Sequence, residues 1–109
     1  MKSDAVRGHL DGMILAVLER GPQHGFAVIS ALHARSGGRL DLPTGTVYPA
    51  LHRLERGGLI ASEWDSAEGR RRRTYRLTSS GRAALARSRT EWVEFSSTVG
   101  AILAGGAAT

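Results

Sequence analysis

Arg70, Arg71, Arg72 and Arg73 form an unbroken run of guanidinium groups directly after the turn-like segment Ser66-Ala67-Glu68-Gly69. A guanidinium is a permanently charged planar fork of donors, and its natural partners are phosphate and carboxylate oxygens. Upstream, Thr44, Thr46 and Tyr48 bring hydroxyl groups to the start of a helix-period segment that continues to His52, Arg53 and Arg56. The chemistry on offer is non-covalent recognition of a polyanion: arginines for phosphate, hydroxyls and helix-start amides for phosphate oxygens or base edges. Catalytic chemistry has no counterpart. There is no Gly-x-Ser-x-Gly, no phosphate-binding glycine loop and no carboxylate cluster, the arrangements that hydrolysis and group transfer require. His9, His24, His33 and His52 show neither HxxxH nor HExxH spacing, and cysteine is absent. A disulfide framework and a thiolate metal site are therefore excluded. The expectation is a non-enzyme with no metal and no cofactor.

The charge is concentrated. The chain of 109 residues carries a formal +5, yet Gly69 to Arg82 holds six arginines and no acid, which makes that segment alone +6 and the remainder −1. A basic patch on an otherwise balanced body marks a docking surface rather than general solubilisation. No run reaches the ~18 to 20 apolar residues of a membrane span, and the start, MKSDAVRGHLDG, lacks the apolar core of a secretory leader. No membrane and a cytoplasmic location are expected.

Those residues need elements to hold them. Leu10, Met13, Ile14, Val17 and Leu18 repeat as one buried helical stripe, stopped by Gly21-Pro22. A second helix is predicted from about His24, burying Phe26, Ile29 and Leu32 and stopped by Gly37-Gly38. Thr44 is the expected N-cap of a third, with Val47, Ala50, Leu51 and Leu54 facing inward and Pro49 about one turn in, where it bends the helix start. After Gly57-Gly58, Ile60, Ser62 and Trp64 alternate with Ala61 and Glu63, and Tyr75 and Leu77 with Thr74 and Arg76. This predicts a two-stranded hairpin with the arginines at its tip, leaning on the helices. Thr78 caps a last helix to about Leu103, in which Leu85, Ser88, Trp92, Phe95, Val99 and Ile102 form a narrow heptad seam.

The fold class is thus mainly α with a small β-hairpin: a winged helix-turn-helix over residues 1–78, a dimerisation helix over 79–104 and a flexible tail over 105–109. Its partner is expected to be double-stranded DNA, contacted by Thr44, Thr46, Tyr48, His52, Arg53 and Arg70 to Arg73. The expected homodimer interface takes Leu85, Trp92, Phe95, Val99 and Ile102, with Leu10 and Ile14 of the first helix. The alternative is that the seam packs on the first helix of its own chain.

Three segments in order, HGFAVISAL, GTVYPALHRLERGGLIASEW and GRRRRTYRLTSSGRAAL, resemble the PadR family of bacterial transcriptional regulators across about Leu10 to Leu103. The most specific parts are Thr46-Val47-Tyr48-Pro49, Leu54-Glu55 with Gly58-Leu59-Ile60, and Tyr75-Arg76-Leu77-Thr78 with Gly81. The resemblance implies a repressor, in the short-tailed branch with a single C-terminal helix. It further implies a palindromic operator with ATGT/ACAT-like half-sites, DNA contact by Tyr48 and release by a small molecule. It also implies that Trp92 stacks a planar aromatic effector at the dimer centre; the residues alone favour a core anchor. The competing classes are a winged-helix protein-interaction module without specific DNA binding, and an RNA-binding module. The six aromatics of the chain lie mostly at apolar positions, too few to build a base-stacking sheet.

Overall fold

The computed structural model describes residues 3–66, 69 and 71–105; Arg70 and the tail residues 106–109 lie outside them. A short α1 (Ser3–Arg7) precedes α2 (Leu10–Leu18), β1 (Gln23–His24), α3 (Gly25–Arg35), α4 (Thr44–Arg56), β2 (Ile60–Asp65), β3 (Arg72–Leu77) and α5 (Ser79–Leu103). The result is a mainly helical body with a small antiparallel sheet and a long terminal helix.

The core lies where α2, α3 and α4 meet under the sheet. Ile14, Leu15, Val17, Leu18, Val28, Val47, Leu51, Ile60 and Tyr75 are buried there, joined by Leu85 from the start of α5. The buried stripe of α2 is wider than its helical periodicity suggests and takes in Leu15. The cause is packing on more than one side, since α2 touches α3, α4 and α5. At ~25 cal/mol per Å² of apolar area removed from water, this shared cluster is the main stabilising term of the domain.

In α3 the inward positions are Gly25, Val28 and Leu32, not Phe26, which is 66% exposed. The phase shifts by one residue because the Tyr48 ring presses on Gly25: a Cβ there would lie 2.8 Å from the ring. Only glycine therefore fits beside the Tyr48 ring as it stands, and Phe26 is turned outward. Thr44 does not cap α4. Pro43 takes the N-cap position without a side-chain bond, and its carbonyl accepts from the Thr46 and Val47 amides at 3.0 and 3.2 Å. α4 runs on through Pro49, since the bond that Pro49 cannot donate would go to the Gly45 carbonyl in the exposed first turn.

The sheet has three strands in the order β1-β3-β2, not two. β1 pairs Gln23 with Tyr75 and His24 with Thr74, while β2 and β3 pair from Ile60↔Leu77 to Asp65↔Arg72. A two-residue strand is too short to show alternation, which is why the sequence hides it. Gln23 secures it by donating from Nε2 to the Val17 carbonyl at 3.0 Å.

Thr78 joins the sheet to α5 as expected. Its hydroxyl accepts from the Gly81 amide at 3.0 Å and donates to the carbonyls of Gly58 and Leu59. Gly81 has no space for a side chain: a Cβ would overlap the Leu59 carbonyl and sit 2.7 Å from Leu77 Cδ1. The exit of α4, the end of β3 and the start of α5 are therefore one rigid junction.

Candidate nucleic-acid interface

The exposed side of α4 and the hairpin face each other across a groove of about 680 Å³. Thr44, Thr46 and His52 are exposed on α4, and Tyr48 is half-buried against Gly25. Tyr48 and His52 line the groove from the helix side; Trp64, Arg71, Arg72 and Arg73 line it from the hairpin. Phe26 and His24 close it at the start of α3. Sequence reasoning thus named most of the walls but missed Phe26, His24 and Trp64. The signal for Trp64 was its strand alternation with Ser62; Phe26 was masked by its apolar character.

The hairpin arginines are not equivalent. The Arg71 and Arg73 guanidiniums lie over the Trp64 ring at 4.6 and 5.1 Å from its centroid, within cation–π range. Arg73 also donates from Nε to Ser62 Oγ at 2.8 Å, and the Ser62 hydroxyl donates to Glu55 Oε2 at 2.5 Å. Arg53 points away from the groove and ion-pairs with Asp11 of α2. His24 stands between two polar groups, with Thr74 Oγ1 3.2 Å from Nδ1 and Asp65 4.0 Å from Nε2. Burial under the sheet pushes the Tyr75 hydroxyl pKa upward, so this ring is a neutral anchor beneath the groove. Among the described residues no group of three His, Cys, Asp or Glu side chains could hold a metal ion. No helix there is long and apolar enough to cross a membrane.

The expected subunit surface divides in two. Leu10, Ile14 and Leu85 are only 5%, 0% and 3% exposed; they are corrected from interface to core, because α5 begins by packing on α2 of its own chain. Ser88 sits over Gly12, and Arg89 clamps Glu19 with bonds of 2.8 and 3.0 Å. Arg89 holds the Glu19 carboxyl below its ordinary pKa through the hydrogen bond and its charge. Beyond that clamp the intrachain cover of α5 thins, among the described residues, to the contact with His9. Trp92, Val93, Phe95, Ile102 and Leu103 are exposed large apolar side chains, and Val99 is half-buried. His9 packs edge-on to Trp92 at 5.2 Å and near Phe95 at 6.1 Å, a contact with no signal in the sequence.

The sequence matches the Transcriptional regulator PadR-like family over residues 14–87. It is 32% identical over 95 residues to an uncharacterized protein of Lysinibacillus sphaericus, covering 86% of this chain and 87% of that one. It is 58% identical over 45 residues to the transcriptional regulator Rv3488 of Mycobacterium tuberculosis, covering 41% of this chain and 42% of that protein. Among solved structures, a PadR family transcriptional regulator from Eggerthella lenta has a TM-score of 0.84 at 32% identity, covering 94% of this chain and 88% of the other. A transcriptional regulator from Clostridium thermocellum also reaches 0.84, at 28% identity, covering 90% and 96%.

Proposed function

Because this chain belongs to the PadR-like family of transcriptional regulators, we propose that it represses transcription as a cytoplasmic homodimer bound to an inverted-repeat operator. The observation that carries this is convergence: Tyr48 and His52 of α4 and the arginine face of the wing line one groove, with Thr44 and Thr46 exposed in the first turn of the same helix. In a winged helix-turn-helix, the second helix of the motif enters the major groove and the wing meets backbone or minor groove. Here α4 is that recognition helix. Thr44, Thr46, Tyr48 and His52 are positioned for base edges and nearby phosphates, and Arg71 and Arg72 for the backbone. Arg70 belongs to the same basic tip by sequence. Arg53 would reach phosphate only by leaving Asp11, so it is the weakest member of the set.

Dimerisation is supported by the uncovered apolar side chains of α5. Trp92, Phe95, Val99 and Ile102 lie on the heptad seam, and a second copy related by a two-fold axis would cover them and set the distance between two reading heads. Trp92 is 52% exposed, which leaves one face of the indole for a planar aromatic effector between the subunits. Release by such an effector would follow if it changed the spacing of the heads. Two titrations test these points. Full-length protein against an inverted-repeat duplex and a scrambled duplex should bind only the first tightly at physiological salt. Planar aromatic cations should quench the fluorescence of a Trp64→Phe variant, in which Trp92 is the remaining tryptophan, and leave that of a Trp92→Ala variant, in which Trp64 remains, unchanged. Equal affinity for the two duplexes would instead point to a non-specific or protein-binding role.

A further inference from the structure

We propose that Glu55, Ser62 and Arg73 form a strap between the wing and the last turn of α4, and that Arg73 is a positioning residue rather than a phosphate contact. In sequence the four arginines look interchangeable. In the structure Arg73 differs from Arg71: its Nε–H is given to Ser62 at 2.8 Å, and a terminal nitrogen lies 4.0 Å from Glu55 Oε2. The Ser62 hydroxyl passes the connection on to the same carboxylate oxygen. Among the described residues Arg71 has no such partner and shares only the Trp64 ring.

Glu55 makes the point sharper. An acid in the last turn of a helix faces the negative end of the macrodipole, and on a DNA-reading helix it also faces phosphate. Both effects disfavour it locally, so its carboxylate needs a compensating role. The strap supplies one, because it ties α4 to the middle of the wing, where Ser62 pairs with Tyr75 and Trp64 with Arg73. Trp64 then has one face backed by Arg73, and Arg71 is aligned on the same ring. Fixing the wing angle fixes where Arg71 meets the duplex when α4 is seated. The strap should therefore act on discrimination between duplexes, while the total number of phosphate contacts stays constant.

Only a planar fork can donate sideways from Nε, approach the carboxylate and stack on indole together; a lysine keeps the charge and loses that combination. This gives the test, which rests on the DNA-binding role proposed above. Arg73→Lys, Arg73→Ala, Glu55→Gln and Arg71→Ala are compared in the full chain. The probes are a labelled duplex selected from a random library and a scrambled duplex of equal length, over a salt series. Amide hydrogen exchange of residues 60–65 and 72–77 is measured without DNA. The strap predicts faster exchange in the wing for all Arg73 and Glu55 variants. It also predicts about tenfold weaker binding of the selected duplex, with the salt slope unchanged. Arg71→Ala should instead flatten the slope. If Arg73→Lys behaves as wild type while Arg73→Ala flattens the slope, Arg73 is a phosphate contact and the strap is wrong. If Glu55→Gln tightens binding to both duplexes equally, Glu55 is merely repulsive, and the strap is again wrong. Should the wild type bind no duplex, the DNA-binding role falls, and exchange alone decides: faster exchange supports the strap and unchanged exchange overturns it.

Discussion

Replacing Arg71 and Arg72 together by alanine removes two charges from the groove side of the wing and, apart from the Arg71–Trp64 stacking, leaves its packing in place. Both are exposed, Arg71 rests on Trp64, and the hydrophobic core contains neither. The thermal midpoint should therefore be close to that of the wild type. The binding effect is electrostatic and can be worked out. Each phosphate neutralised on duplex DNA contributes about 0.9 to the slope of log K against log salt. With two such contacts per head and two heads per dimer, the variant should be shallower by about 3.6. Between about 50 and 200 mM salt, the wild type would then lose roughly a hundredfold more affinity than the variant. Fluorescence anisotropy of a labelled duplex across a potassium chloride series measures this directly. Arg71→Lys/Arg72→Lys should restore most of the slope, because counterion release follows charge. An unchanged slope in the alanine variant would remove the wing from the interface and refute the proposed docking.

Gly25→Ala should leave the fold intact but turn the Tyr48 ring, whose outer atoms would lie 2.8 Å from the new methyl. Operator affinity is expected to fall about tenfold, the loss of one good hydrogen bond, and wild-type affinity would show that Tyr48 does not contact DNA. Phe95→Glu places a carboxylate on the α5 seam twice in a two-fold dimer. At about 3 kcal/mol for a buried unpaired charge, sedimentation should show a dimer for the wild type and a monomer for the variant, and a persisting dimer would move the interface elsewhere. The Glu19 carboxyl is held low by Arg89, so its contribution is present above the ordinary carboxylate range and is lost as pH falls through the lowered value. Arg89→Met should thus lower the thermal midpoint at neutral pH and converge with the wild type in strong acid; melting curves that stay parallel would show that the pair is uncoupled from folding.

The fold was legible where periodicity is long. The α2 stripe, the inward face of α4 and the β3 alternation each involve several residues repeating one geometric demand, and each occurs as expected; the Thr78 cap was legible as a single hydroxyl at the start of a helix, whereas β2 does not alternate, since Trp64 is exposed. What was hidden depends on single contacts between distant segments. β1 exists because Gln23 and His24 find β3, which two residues cannot announce. Phe26 was misplaced because the inward position belongs to Gly25, and that choice is dictated by Tyr48 from another helix. The wing arginines could be counted but not sorted, since their difference comes from Ser62 and Glu55. The apolar seam of α5 suggested one continuous interface. Its first part is taken by α2, and only the part beyond Arg89 is left for a partner.

The central claim is that this chain reads a specific duplex with paired helix-and-wing heads. Selection of bound duplexes from a random library with the full-length wild-type protein, followed by sequencing, tests it most directly. The expected result is enrichment of an inverted repeat whose half-site centres lie about one helical turn, roughly 10 base pairs, apart or a multiple of it. Enrichment should disappear when Tyr48 and His52 are both replaced by alanine. A pool that stays random after repeated rounds, or a motif without two-fold symmetry, would contradict it.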